Sequence, residues 1–207
     1  IHSTSDIGIG KHTLSNPAYP LGNNHGGLEC IGGQWYIFDH RMTNKTMFSR
    51  QGVAEPVTIG SDGSISRVES TSCGLNGGPL RGEGTCPAYI ACNLLRGSLL
   101  SGGPYITQDK PDGDTSARQY VAGVCKGSRV GYKYFDFPSD RRCVTVQYRC
   151  TGKGKLEIMQ SDGGPIVGSV AVSKTQQWCD GNCEIHVIPG KSALYFKYAG
   201  SGTLELM

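Results

Sequence analysis

Glycine accounts for 31 of the 207 residues, about twice the usual share. The glycines fall between short stretches in which apolar and polar residues alternate. Alternation with a period of two places one side chain on each face of an extended strand, and glycine supplies the backbone freedom a tight reversal needs. A chain built this way turns every few residues and buries one face of each strand, which predicts an all-β fold. The only candidate helix, residues 88–100, is short and interrupted by Gly97.

Two halves separate near residue 101. In the first, Gly32-Gly33 sits between LECI and QWYIFDHR, the signature of a two-residue hairpin. The stretch PVTIGSDGSISRVE repeats the theme around Asp62-Gly63, and residues 72–87 are too rich in Gly and Pro for regular structure. The second half reads as RVGYKYFDF, RCVTVQYRC, KLEIMQ, PIVGSVAV, CEIHVI, SALYFKYAG and GTLELM, each bounded by turn residues. Strands at this spacing in about 100 residues predict a β-sandwich or barrel. The expected organisation is therefore residues 1–100 as one unit and 101–207 as another.

Composition removes several function classes. The net charge is +3 and the basic residues form no block, so a nucleic-acid partner is not expected. No apolar run approaches the roughly 18 residues of a membrane helix, and no membrane partner is expected. The start, IHSTSDIGIG, resembles neither a signal peptide nor a natural start and reads as a cut inside something larger. The nine cysteines contain no Cys-x-x-Cys spacing, which argues against a zinc knuckle. Cys143 and Cys150 fall on opposite faces of one strand, whereas Cys179 and Cys183 flank Asp-Gly-Asn, which reads as a turn that would let them bridge. The plainer reading is buried thiols acting as small hydrophobes. The sequon Asn44-Lys45-Thr46 would matter only in a eukaryotic secretory pathway.

The segment GNNHGGLECIGGQWYIFDHRMTN, with STSDIGIGKHT before it and EPVTIGSDGSISRVESTSCGLNG after it, resembles glycoside hydrolase family 43, the five-bladed β-propeller xylosidases and arabinofuranosidases. The resemblance covers about residues 1–95. GPYITQDKPDGD, QYVAG, VGYKYFDF, GKGKLEI, Gly168 and ALYFKYAGSGTLEL resemble carbohydrate-binding module family 6 over about residues 102–207. The fold these imply is the last blades of a five-bladed β-propeller followed by a jelly-roll-like β-sandwich.

The resemblance implies an inverting glycosidase acting on xylan- or arabinan-type plant cell-wall polysaccharides or their oligosaccharides. Inversion uses two carboxyl groups roughly 6.5–9.5 Å apart with a water between them. The family draws its acids from the first three blades, so no catalytic acid is expected in this chain and the missing N-terminal blades are its expected partner. Asp6, Glu29, Glu55 and Glu69 match none of those positions. His25 matches the propeller-axis histidine that holds calcium or another cation through waters. Arg41 matches the pocket arginine that contacts substrate, a task suited to a planar fork of donors. His40, on the face opposite Arg41, reads as packing. Tyr120 and Trp178 lie near positions where family 6 modules place aromatics against a sugar ring. Two alternatives are a non-catalytic carbohydrate-binding protein and a structural accessory module.

Overall fold

The computed structural model describes residues 12–18, 25–98 and 102–207. Near the N-terminus, β1 (Gly27–Ile31), β2 (Gln34–Met42) and β3 (Arg50–Val57) form a three-stranded antiparallel sheet in the order β1-β2-β3. The hairpin is the expected one: Ile31 pairs with Gln34, and Gly32 and Gly33 take φ values of 57° and 85°, a region closed to most side chains.

The remaining strands build the sandwich. They are β4 (Leu80–Arg81), β5 (Asn93–Leu95), β6 (Tyr105–Gln108), β7 (Gln119–Val124), β8 (Arg129–Phe137), β9 (Arg141–Cys150) and β10 (Gly154–Met159), followed by β11 (Ile166–Val172), β12 (Thr175–His186), β13 (Gly190–Gly200) and β14 (Leu204–Leu206). One sheet runs β11-β10-β13-β8-β4, with β5 also paired to β8, and the other runs β12-β9-β14-β7-β6. The inner faces meet in a core that includes Ile106, Val121, Val130, Leu156, Ile158 and Leu204, each at most 1% exposed. Tyr198 is fully buried, and its hydroxyl donates to the Ser201 carbonyl at 2.6 Å, so the polar tip of a large core ring is satisfied.

Among the described residues the secondary structure is all strand, apart from two 3₁₀ turns at Gly74–Asn76 and Ala88–Ile90. Within the helix candidate at 88–100, the described residues 88–98 hold the Ala88–Ile90 turn followed by β5, while residues 99–100 lie outside the described residues. Strands β4 and β5 lie before the expected boundary at residue 100, yet both pair with β8 and belong to the six-stranded sheet.

The expected turn between Cys179 and Cys183 does not form. Strand β12 runs straight through, pairing Asp180 with Gln147, Gly181 with Val146 and Asn182 with Thr145. Four residues along a strand span about 13 Å, far beyond the reach of a disulfide. All nine cysteines are free thiols. Cys73, Cys92 and Cys150 are buried, in keeping with small hydrophobes, while Cys30, Cys86 and Cys143 are exposed.

Polar bonds close the seam between the three-stranded sheet and the sandwich. The Asn44 backbone N–H donates to the Ile106 carbonyl at 2.8 Å, and its side-chain oxygen accepts from Thr107 Oγ1 at 2.6 Å. The sequon asparagine is thus spent on β6. Lys45 Nζ lies 4.1 Å above the centre of the Tyr105 ring, a cation–π contact across the same seam. Farther along, Lys133 Nζ meets Glu69 at 2.7 Å and Tyr134 Oη donates to the same carboxylate at 2.8 Å. Burial and the Glu69 charge both push the Tyr134 phenol above its ordinary range.

Candidate functional site

The alternation of β2 sends His40 and Arg41 to opposite faces, as the sequence requires. Arg41 is 4% exposed. Its Nε donates to Gln51 Oε1 at 2.8 Å, Nη2 donates to the Tyr89 carbonyl at 2.8 Å, and Nη1 donates to the Ala91 carbonyl. The guanidinium fork therefore ties the three-stranded sheet to the segment that leads into β5. It also borders a cavity whose wall includes Phe38, Asp39, Gln51, Thr71 and Tyr89. Sequence reasoning placed Arg41 at a pocket but could not see the main-chain partners about fifty residues away.

His25 and His40 are brought together. His40 Nε2 and His25 Nδ1 are 2.6 Å apart, with ring planes at 87°. One of the two nitrogens carries the shared proton. His40 Nδ1 is buried without a hydrogen-bond partner. His40 thus joins His25 at the end of the hairpin, a pairing the packing assignment missed. Gly26 has its own reason for being glycine: a Cβ there would lie 2.6 Å from the Phe38 carbonyl carbon and 3.0 Å from Asp39 Cα. The close approach it permits is to β2.

A hard cation such as calcium takes six to eight oxygen ligands. The partner that the described residues offer His25 is a second imidazole, and among them no three metal-binding side chains converge. This donor set does not fit calcium.

Two of the four acids that a motif search would nominate, Glu55 and Glu69, are engaged in the fold. Glu55, 2% exposed, accepts from the Thr71 N–H at 2.5 Å and from Thr71 Oγ1 at 2.6 Å. Glu69 holds Lys133 and Tyr134, and Glu29 is exposed on β1. Asp6 lies outside the described residues.

On the sandwich, Arg149 and Glu205 are cross-strand partners, while Tyr148, Cys150, Leu204 and Leu206 beside them are buried. Alternation therefore puts the charged pair on the outer face of the five-stranded sheet. On β12, Cys179 pairs with the inward-facing Tyr148, so alternation places the preceding Trp178 on the same outer face. The Tyr120 and Trp178 rings meet edge to face with centroids 5.5 Å apart, and the Arg149 guanidinium lies 5.1 Å from the first ring and 4.7 Å from the second. Arg149 Nη2 donates to Tyr120 Oη at 3.2 Å, and Nε donates to Glu205. That bond to Glu205 holds the guanidinium firmly in its charged form. Tyr120 is 9% exposed. The two rings do not flank a slot; with Arg149 they form one continuous surface, on which Trp178 is the more open ring. Arg149 and Glu205 were missed because neither carries a motif of its own.

No protein-family model matches the chain. A "Xylosidase/arabinosidase" from Thermoclostridium stercorarium is 41% identical over 218 aligned residues, which take in 100% of this chain. This chain is a homologue of that protein over its whole length. An "Arabinoxylan arabinofuranohydrolase" from Paenibacillus polymyxa is 26% identical over 95% of the chain. The chain spans 46% of the first relative and 32% of the second, less than half of either. Among solved structures, the glycoside hydrolase family 43 arabinoxylan arabinofuranohydrolase from Bacillus subtilis superposes with a TM-score of 0.60 at 20% identity, over 89% of this chain and 40% of that one. A β-1,3-glucan-binding family 6 module from Bacillus halodurans superposes with a TM-score of 0.51 at 20% identity, over 62% of this chain and 94% of that one. At these identities the structures speak for the all-β fold, which agrees with the sequence expectation.

Proposed function

We propose that this chain works as part of an inverting glycoside hydrolase acting on xylan- or arabinan-type plant polysaccharides. The three-stranded sheet is then a blade of the catalytic propeller and the sandwich its attached module. One observation carries the reading: the 41% identity to the xylosidase/arabinosidase extends over the whole chain, and so over both units. In this reading the paired carboxylates of hydrolysis come from outside these 207 residues. Strand β1 supports that placement: it is exposed along its length, has no partner on its outer edge among the described residues, and displays Leu28 and Ile31, 38% and 46% exposed. An open apolar edge of this kind is where a neighbouring blade would cover the sheet. Arg41 acts at the substrate cavity it borders, with its own geometry fixed by Gln51, Tyr89 and Ala91.

Within the module, Trp178 offers its ring to the apolar C–H face of a sugar. A second reading, the sandwich as a structural prop, is favoured by the Arg149 guanidinium, which already lies over both aromatic rings.

Two measurements test these readings. The 207-residue chain alone is expected to leave aryl xylosides and aryl arabinosides intact; hydrolysis by it would overturn the placement of the carboxylates. Its retention on insoluble arabinoxylan is expected to fall about five- to tenfold in Trp178→Ala, the effect of losing one ring's apolar contact. Unchanged retention, or none in the parent chain, decides for the prop.

A further inference from the structure

Strand β9 turns Arg142, Val144, Val146, Tyr148 and Cys150 toward the opposing sheet. Arg142 sits opposite Ile185, which is fully buried, and Val144 sits opposite Cys183. A guanidinium at such a position needs a partner, because burying a polar donor without one is costly. Arg142 Nη1 donates to the Arg141 carbonyl at 3.1 Å, but Nε is buried and has no hydrogen-bond partner. The neighbouring inward-facing Val144 and Val146 are only half-buried, although Tyr148 and Cys150 farther along the strand are buried. The two sheets part here instead of closing on each other.

Between them lies a cavity of about 330 Å³, within the size range of small-molecule sites. Tyr132, Phe135 and Phe137 of β8 and Phe196 of β13 form one wall, and Val144 and Val146 the other. The aromatic wall is ordered: Tyr132 and Phe196 meet edge to face at 5.6 Å, and Phe135 and Phe137 lie 5.8 Å apart. The rim is fixed as well. Strand β4 pairs with β8 at Phe135 and Asp136, and Gly82 lies so close to β8 that a Cβ would come within 2.5 Å of the Phe137 ring and 2.7 Å of the Asp136 carbonyl oxygen. Arg81 and Glu83 stand at the opening.

The geometry points to a binding site for a small planar aromatic carboxylate. The ring lies against the β8 and β13 aromatics, whose edges and faces favour another ring over an alkyl chain. The carboxylate takes the Arg142 guanidinium, whose planar fork matches two oxygens. The volume admits one substituted ring and excludes an oligosaccharide, so this site is separate from the sugar-binding surface at Trp178.

The test is titration of the 207-residue chain with 4-hydroxycinnamate and with the matching uncharged alcohol, followed by calorimetry and amide chemical shifts. The acid is expected to bind more tightly than about 1 mM, with the largest shifts in β8, β9 and residues 81–86. Arg142→Leu is expected to fold at least as well as the parent, since it removes an unsatisfied buried donor. It should weaken the acid about 10- to 100-fold and leave the alcohol unchanged. Should that variant fail to fold, Arg142→Lys is the second arm, expected to retain weaker binding of the acid. Absence of saturable acid binding, equal loss of acid and alcohol, or shifts confined to other surfaces would each overturn the assignment.

Discussion

Replacing Arg41 with alanine is expected to cost the chain about 3–5 kcal/mol of stability, the range seen when a buried charged network loses one member. The side chain is 4% exposed, and three of its donors serve three acceptors: Gln51 Oε1, the Tyr89 carbonyl and the Ala91 carbonyl. Hydrogen bonds to a charged group contribute about 1.5–3 kcal/mol each, and the loss grows when the acceptors stay buried. Gln51 Nε2 also donates to the Tyr89 carbonyl, at 3.4 Å, so that acceptor keeps a weak partner while the Ala91 carbonyl loses its guanidinium donor. Arg41→Lys keeps the charge but cannot reach three acceptors from one nitrogen, and should fall between the parent and the alanine variant. Urea denaturation reads both. A loss below about 1 kcal/mol in Arg41→Ala would show that the guanidinium does not hold the three-stranded sheet to the sandwich.

That network also marks how far local pattern reaches. Strand β8 covers the same residues, 129–137, as the alternating stretch RVGYKYFDF, and the Gly32-Gly33 hairpin has the expected register. Both are local: alternation sets the face and turn length sets the pairing. That register, carried two residues past β1, also sets His25 opposite His40, so this contact was latent in the hairpin. The turn residues Asp180-Gly181-Asn182 misled because their local preference was overridden by pairing with β9. Gly181 serves packing instead: a Cβ there would lie 2.5 Å from Val170 Cγ1. Strands β4 and β5 are two and three residues long and gain their place only by pairing with β8. Arg41 reaches carbonyls whose side chains carry no signal at all. The Trp178–Arg149–Tyr120 surface depends on the order of strands in a sheet, which alternation does not encode.

Gly26→Ala is expected to lower stability by about 2–3 kcal/mol, or Tm by roughly 5–10 °C in a domain of this size. The added methyl would lie 2.6 Å from the Phe38 carbonyl carbon and 3.0 Å from Asp39 Cα. Both are main-chain atoms of β2, so no side-chain rotation relieves the overlap. The chain entering β1 has to lift away from β2, and His25 moves with it. The 2.6 Å contact between His25 Nδ1 and His40 Nε2 should then open, since the clash falls on the residue next to His25. Gly27→Ala is the matched control: a Cβ at Gly27 meets nothing within 4 Å, and extended backbone accepts alanine at least as readily as glycine. Its effect should stay within about 0.5 kcal/mol. The two variants differ by one position in the chain and by nothing in composition. Thermal unfolding together with the imidazole nitrogen resonances of His25 and His40 separates the outcomes. Equal stability of the two variants, or an unchanged pair of histidine resonances in Gly26→Ala, would mean that β1 does not approach β2 as closely as Gly26 permits, and that the histidine pair is set by something other than the hairpin.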